Sequence, residues 1–123
     1  MTLKFEHKWQ KTISSKDRKL IIQTYMHNPI QEETVLFAPV RAARNHRGDL
    51  LATVLIVNGY QSEWKLHERI LHYYEKGIRV AENKFTHPSL IIPPQCAMPW
   101  TFIFHSNSLK KIPILADWQI IFL

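Results

Sequence analysis

The 123-residue chain has one cysteine, three glycines and no long apolar run. The lone Cys96 cannot form an internal disulfide, so the fold does not depend on an oxidising compartment. Three scattered glycines cannot build a Walker A or dinucleotide-binding loop. The longest apolar run, residues 50–57, is far shorter than the roughly 20 residues that a membrane-spanning helix needs.

An apolar signal segment is also missing, because the first residues are charged and polar. We therefore expect a cytoplasmic protein whose contact with a membrane is at most peripheral. Length and composition predict a single domain over residues 1–123. Within it we expect a basic segment at 1–28 and a β-sandwich over 34–123.

Acidic residues are scarce, with 10 against 16 lysines and arginines and a net charge of +6. The excess lies mainly in residues 1–28, where Lys16 and Lys19 are candidate partner-binding residues. Such a segment is either a solvated helix face or a dock for an acidic surface of protein, lipid headgroups or RNA. The basic residues do not form a stripe along a β-surface, which disfavours nucleic acid as the partner.

The sequence contains no recognisable catalytic set. His67, Glu68 and His72 miss the H-E-x-x-H zinc motif by one residue, and neither helix nor strand geometry brings both histidines to one ion. Cys96 lies among prolines and hydrophobic residues, which favours a buried small side chain over a nucleophile. We predict a non-enzymatic protein with no cofactor and no metal.

One helix is predicted near the amino terminus. Ser14 is an N-cap with Asp17 three positions later, and Pro29 limits the other end. The helix should span about 15–27. Its apolar stripe, which includes Leu20 and Ile21, is narrow, so we expect it to lie across a sheet.

The rest of the chain has the alternation and turn residues of short strands. Six segments fit this pattern: 34–43, 50–58, 64–74, 78–85, 100–104 and 118–122. Residues 64–74 also fit a helix, but the turn residues at 75–77 favour a strand followed by a hairpin. The fold class is therefore mainly β: an antiparallel, immunoglobulin-like sandwich of about six strands with one amino-terminal helix.

A proline-rich segment leads into an aromatic strand. Prolines lack a backbone donor, so this lead-in should be neither helix nor central strand. After it, aromatic residues alternate, which predicts a strand whose rings fill the core. The predicted structural core comprises Pro93, Pro94, Pro99, Trp100, Phe102 and Phe104.

Two adjacent tyrosines provide a second candidate surface. On a strand, one of Tyr73 and Tyr74 must face outward, beside Arg79 in the following strand. An outward tyrosine next to a basic side chain is a typical anchor for a protein partner.

The sequence resembles the SLAP domain family, a module of S-layer assembly proteins in the accessory Sec system of Gram-positive bacteria. Ile92-Pro93-Pro94 and then Pro99-Trp100-Thr101-Phe102 resemble its IPP and PWTF motifs. The hairpin at 74–81, the apolar strand at 50–58 and the opening at 7–9 are similar too. The chain departs from the pattern at Val57, where the family has arginine, in an apolar spacer at 95–98, and in having one copy of a module that is duplicated in the assembly proteins.

The resemblance implies a non-catalytic interaction module that acts in assembly or export of cell-surface proteins. Its partner would be a secretion or S-layer protein, bound at an exposed strand edge or through the basic helix. The alternative is a nucleic-acid-binding domain that uses the lysine-rich segment at 1–28. A basic cluster on one concave face would favour it, made of Lys4, Lys8, Lys11, Lys16, Lys19, Arg41 and Arg44.

Overall fold

The computed structural model describes residues 2–122, without the side chains of Thr2, His7, Lys8 and Lys11. This part of the chain contains two α-helices, one 3-10 helix (Ser106–Ser108) and nine strands. The helices are α1 (His7–Thr12) and α2 (Ser15–His27). The strands are β1 (Thr2–Leu3), β2 (Val35–Arg44), β3 (Leu50–Asn58), β4 (Trp64–Lys65), β5 (Arg69–Glu75), β6 (Ile78–Phe85), β7 (Ile91–Ile92), β8 (Cys96–Phe104) and β9 (Trp118–Phe122). Helix α1 and the two-residue strands β1 and β7 were not predicted, whereas β4 falls within the predicted strand at 64–74.

The strands form small separate sheets. A four-stranded sheet has the order β1-β8-β3-β2, a three-stranded sheet the order β6-β5-β9, and β4 pairs with β7. All pairs are antiparallel except β1 with β8, which is parallel. A mainly β chain with antiparallel sheets is thus confirmed, whereas the immunoglobulin-like sandwich stays a prediction.

The largest apolar cluster, here called the inner layer, takes side chains from both larger sheets. Aromatic rings dominate it: Phe37 stacks on Phe102 with centroids 5.7 Å apart, and Phe85 meets Phe102 edge-on at 5.2 Å. Phe104 and Tyr73 are also in contact within it. Ring pairs of this kind add to the stability gained from burial.

A second cluster, here called the outer layer, lies where the helices cover the other face of the four-stranded sheet. It contains buried aliphatic side chains: Ile21, Ala38, Leu55, Val57 and Ala97. The helix that covers them begins as predicted, because the Asp17 amide donates to Ser14 Oγ at 3.1 Å. Trp9 and Phe5 pack against the same cluster, so the basic amino-terminal segment is part of the packed structure.

Residues 64–74 are strand rather than helix, but they form two strands. Glu68 has a positive φ of 48°, which ends the first strand and resets the alternation. Trp64 and Leu66 consequently point into the inner layer, together with Tyr73. An uninterrupted strand over 64–74 would instead have placed Trp64 and Leu66 on the same face as Tyr74.

The proline lead-in is held by the turn at Asn58-Gly59. The side-chain amide of the buried Asn58 donates to the backbone carbonyls of Ile92 and Pro93 at 3.1 and 3.2 Å. A Cβ at Gly59 would lie 1.8 Å from the Gln31 carbonyl oxygen, so only glycine fits there. Pro93 and Pro94 are half-buried, which corrects their placement in the core.

Candidate interaction groove

Strand β8 has one edge that is open over most of its length. Its short neighbour β1 pairs only with Cys96 and Ala97. The Ala97 carbonyl accepts from the Lys4 amide at 2.8 Å. The N–H and C=O groups of successive residues in a strand point to alternate edges. Since the Ala97 carbonyl points away from β3, the backbone groups of Pro99, Thr101 and Ile103 also point away from β3. We call this edge the outer side of β8.

Pro99 lies inside this strand, so the strand begins earlier than the predicted start at Trp100. Pro99 is paired with Leu55 of β3, and its ring is buried. Its missing N–H falls on the outer side, where it costs no bond to β3. Beyond Ala97, β8 is an edge strand, and this is why proline is tolerated there.

The outer side of β8 presents two free donors. Within residues 2–122, the backbone amides of Thr101 and Ile103 have no hydrogen-bond partner on that side. The edge of β2 differs, because it combines Pro39 with a bulge between Pro39 and Arg41. Bulges and prolines are the usual ways to prevent a strand edge from pairing, and the Thr101–Ile103 stretch has neither.

Two hollows adjoin this edge and form one groove. Their volumes are about 290 and 630 Å³, and both are lined by His87 and Trp100. The other lining residues come from α1 and the residue before it, from the segment after β4, from the end of β6 and the loop after it, and from β8: Glu6, Trp9, Thr12, Leu66, Phe85, Thr86, Ser89, Thr101, Phe102 and Ile103. We call this the β8 groove.

Trp100 lies at the rim of the core rather than inside it. Phe102 and Phe104 are buried, whereas Trp100 is half-buried and packs its ring edge-on against His87 at 4.8 Å. The core prediction is therefore corrected for Trp100. Its ring instead forms the centre of the β8 groove, with Trp9 on the helix side.

The predicted basic cluster is only partly assembled. Lys16 and Lys19 are exposed on α2 and border a shallow hollow with Arg41. Arg41 faces the Asp17 carboxylate at 3.5 Å, and Arg44 donates to the Gly48 carbonyl instead of joining the cluster. Two further lysines of the predicted cluster, Lys8 and Lys11, have side chains outside the described residues.

Of the two tyrosines, the structure places Tyr73 in the core. Its hydroxyl donates to Glu75 Oε2 at 2.8 Å, and burial followed by this hydrogen bond raises the pKa of Tyr73. A partner therefore cannot reach Tyr73, which corrects that prediction. Tyr74 is half-buried on the other face of the three-stranded sheet, in register with Arg79. The Arg79 guanidinium is 3.3 Å from Glu82 Oε1.

The histidines of the near-motif have separate partners. His67 Nε2 is 3.8 Å from Glu68, and His72 Nε2 is 2.7 Å from Glu82. Among the described side chains, no three of His, Cys, Asp and Glu are placed to hold one metal ion. Cys96 is buried in the inner layer, as its surroundings in the sequence indicated.

Sequence reasoning did not identify the β8 groove, because its walls are far apart in the chain. In the sequence, Trp9 stands in a mixed polar segment and His87 between two predicted strands, and neither position has a functional pattern. No local signal brings Trp9, His87 and Trp100 together. The sequence did indicate that Ile103 lies opposite the rings in the alternation, and its side chain is 42% exposed.

The model of the SLAP domain family matches residues 3–123, and the chain belongs to that family. Comparison with curated proteins and with solved structures finds no match. Within residues 2–122, none of the helices has the length and apolarity needed to cross a membrane.

Proposed function

We propose that this chain is a non-catalytic interaction module that binds an extended segment of a partner protein along the open edge of β8. Its setting would be the assembly or export of cell-surface proteins in a Gram-positive bacterium. One observation carries the proposal: the backbone amides of Thr101 and Ile103, which have no partner among the described residues, lie beside an aromatic groove.

Recognition would occur by strand addition. Carbonyls of the bound segment accept from Thr101 and Ile103, while its amides donate to carbonyls on the same edge. Pro99 offers no donor, so pairing starts after it. Side chains of a bound strand alternate between the two faces of the sheet, so those on one face would lie against Trp100 and those on the other against Trp9. The segment should therefore have apolar or aromatic residues where it passes these two rings.

Two further features support the proposal. Membership of the SLAP family points to a surface-associated domain of Gram-positive bacteria. The inner layer is filled from both larger sheets, which supports the immunoglobulin-like sandwich that we propose as the finer description of the fold. Sandwiches of this kind commonly serve as binding modules on cell-surface proteins.

The test compares proline at two equivalent edge positions. Ile103→Pro removes an outward donor from β8, and Ala42→Pro removes one from the edge of β2, next to its bulge. Each variant and the unaltered chain are immobilised and incubated with native lysate of an S-layer-forming Gram-positive bacterium, with and without nuclease. We expect a secretion or S-layer component to be enriched by the unaltered chain and by Ala42→Pro.

Ile103→Pro should reduce this recovery at least about tenfold, since a lost hydrogen bond and a distorted edge together cost about 1.4 kcal/mol or more. Circular dichroism and a urea midpoint would show that both variants are folded. Equal recovery by the two variants would refute strand addition at β8. Loss of all recovery after nuclease treatment would favour the nucleic-acid alternative.

A further inference from the structure

One end of the three-stranded sheet exposes an unusual set of aliphatic side chains. Ile112 is 77% exposed, Ile114 and Ile78 are 53% exposed, and Leu115 is 36% exposed. Single exposed hydrophobic residues are ordinary on a protein surface, but a cluster of them indicates an interaction site. We call this cluster, with the lysines described below, the apolar tip.

Backbone contacts hold the two parts of the apolar tip together. The Lys76 amide donates to the Asp117 carbonyl at 2.9 Å, and the Lys110 amide donates to the Val80 carbonyl at 2.7 Å. Residues 110–117 thus run alongside the β5–β6 hairpin, whose turn is Lys76-Gly77 and whose next residue is Ile78. The exposed aliphatic side chains of both segments therefore lie at one end of the domain.

A buried carboxylate fixes the loop in this position. Glu75 is 2% exposed and accepts from the amides of Ile114 and Leu115 at 2.9 and 2.8 Å. It also accepts from the Tyr73 hydroxyl. Leu115 has a positive φ of 64°, an unfavourable conformation for a residue with a branched side chain. Strain of this kind is typically maintained at functional sites.

The charges around the apolar tip are mainly positive. Lys76, Lys110 and Lys111 are exposed, and in the described part of the chain no carboxylate lies within ion-pair distance of them. Asp117 is the one acidic residue of the loop at 110–117. Lysines beside exposed aliphatic side chains complement a surface that is anionic outside and apolar beneath, which describes a bilayer with acidic headgroups.

We propose that the apolar tip docks the domain on an anionic lipid bilayer. Lysine ammonium groups would contact the headgroups, and Ile112 and Ile114 would enter the region between headgroups and acyl chains. The apolar tip lies at the start of β6, and the β8 groove lies near the other end of β6, at Phe85. Seven residues of strand separate them, or about 23 Å, so membrane contact leaves the groove open to a partner.

The test is sedimentation of the full chain with vesicles of phosphatidylcholine, with or without phosphatidylglycerol. We expect binding to the anionic vesicles alone and weaker binding as salt is raised. Lys110→Gln with Lys111→Gln should reduce the partition coefficient about thirtyfold, because each lysine near such a surface contributes about 1 kcal/mol. Ile112→Ser with Ile114→Ser should reduce it at least about tenfold through lost apolar contact.

Matched controls carry the same changes elsewhere. Lys16→Gln with Lys19→Gln alters exposed lysines of α2, and Ile70→Ser with Ile121→Ser alters isoleucines that are 40% and 39% exposed. Both controls should bind vesicles like the unaltered chain. The proposal is overturned if the unaltered chain does not sediment with anionic vesicles, if the tip variants bind normally, or if the α2 control loses as much binding. Ile103→Pro should keep vesicle binding, which separates this result from the test of the β8 groove.

Discussion

The two faces of the four-stranded sheet are covered in different ways. The inner layer is built from rings of strands that face each other, such as Phe37, Phe85 and Phe102. The outer layer is aliphatic and is closed by the amino-terminal helices, mainly through Ile21. The comparison shows that the basic segment, which the sequence presents as a separate region, packs against one face of the sheet and supplies Trp9 to the β8 groove.

The largest expected effect is on the free energy of unfolding and compares one substitution in each layer. Phe102→Ala should lower the free energy of unfolding by about 3–5 kcal/mol, because it removes a fully buried ring from the inner layer. Ile21→Ala removes fewer buried carbons and should cost about 2–3 kcal/mol. Urea unfolding followed by fluorescence measures both. A larger loss for Ile21→Ala would show that the outer layer contributes more to stability than the inner one.

A smaller effect is expected where the two layers meet at the rim of the groove. Trp100→Ala should cost about 1–2 kcal/mol, less than the usual value for a buried ring, because this tryptophan is half-buried. The same change should weaken binding of the partner that the unaltered chain recovers. If Trp100→Ala is as unstable as Phe102→Ala, Trp100 belongs to the inner layer. If Trp100→Ala binds the partner as well as the unaltered chain does, Trp100 is not part of the binding groove.

The smallest effect concerns a polar contact at the end of the sheet that both layers share. The Ser106 backbone amide donates to Asp49 Oδ1 at 2.9 Å, and the Asn45 side-chain amide donates to Asp49 Oδ2 at 3.1 Å. These two hydrogen bonds hold the pKa of Asp49 below its usual 3.8. The ionised Asp49 carboxylate stabilises the fold fully above pH 3.8, its usual pKa. This stabilisation is lost as pH falls through the lowered pKa of the folded protein.

In Asp49→Asn, the free energy of unfolding should therefore depend less on pH below about pH 4, while the packing of the two apolar layers is unchanged. Urea midpoints measured at a series of pH values would show this. A variant that follows the acid curve of the unaltered chain would show that other carboxylates determine the loss, and would remove Asp49 from this role.

Much of the fold could be predicted from short-range signals. The α2 boundaries follow from Ser14 and Pro29, and the hairpin after Glu75 follows from Lys76-Gly77, where both residues have positive φ. Helix α1 could not be predicted, because six residues with mixed polar character have no clear helical pattern. Its position depends on packing of Trp9 against the sheet.

Little of the candidate site could be predicted. Trp100 was assigned to the core because alternation indicates which side of a strand a ring occupies, but not how far the opposite sheet extends over it. Tyr73 and Tyr74 show the same limit. Their alternation requires that they face opposite ways, while only pairing with β6 and β9 determines that Tyr73 is the buried one.

The sequence by itself determined where the six longer strands lie, where the main helix begins and ends, and to which family the chain belongs, because these depend on residue types at short spacing. The tertiary structure alone decided that β8 has an open edge and that the loop at 110–117 runs alongside the β5–β6 hairpin at the apolar tip. An edge is open only if its neighbour stops early, and a tip forms only where distant loops pack together. Contacts between residues far apart in the chain decide both.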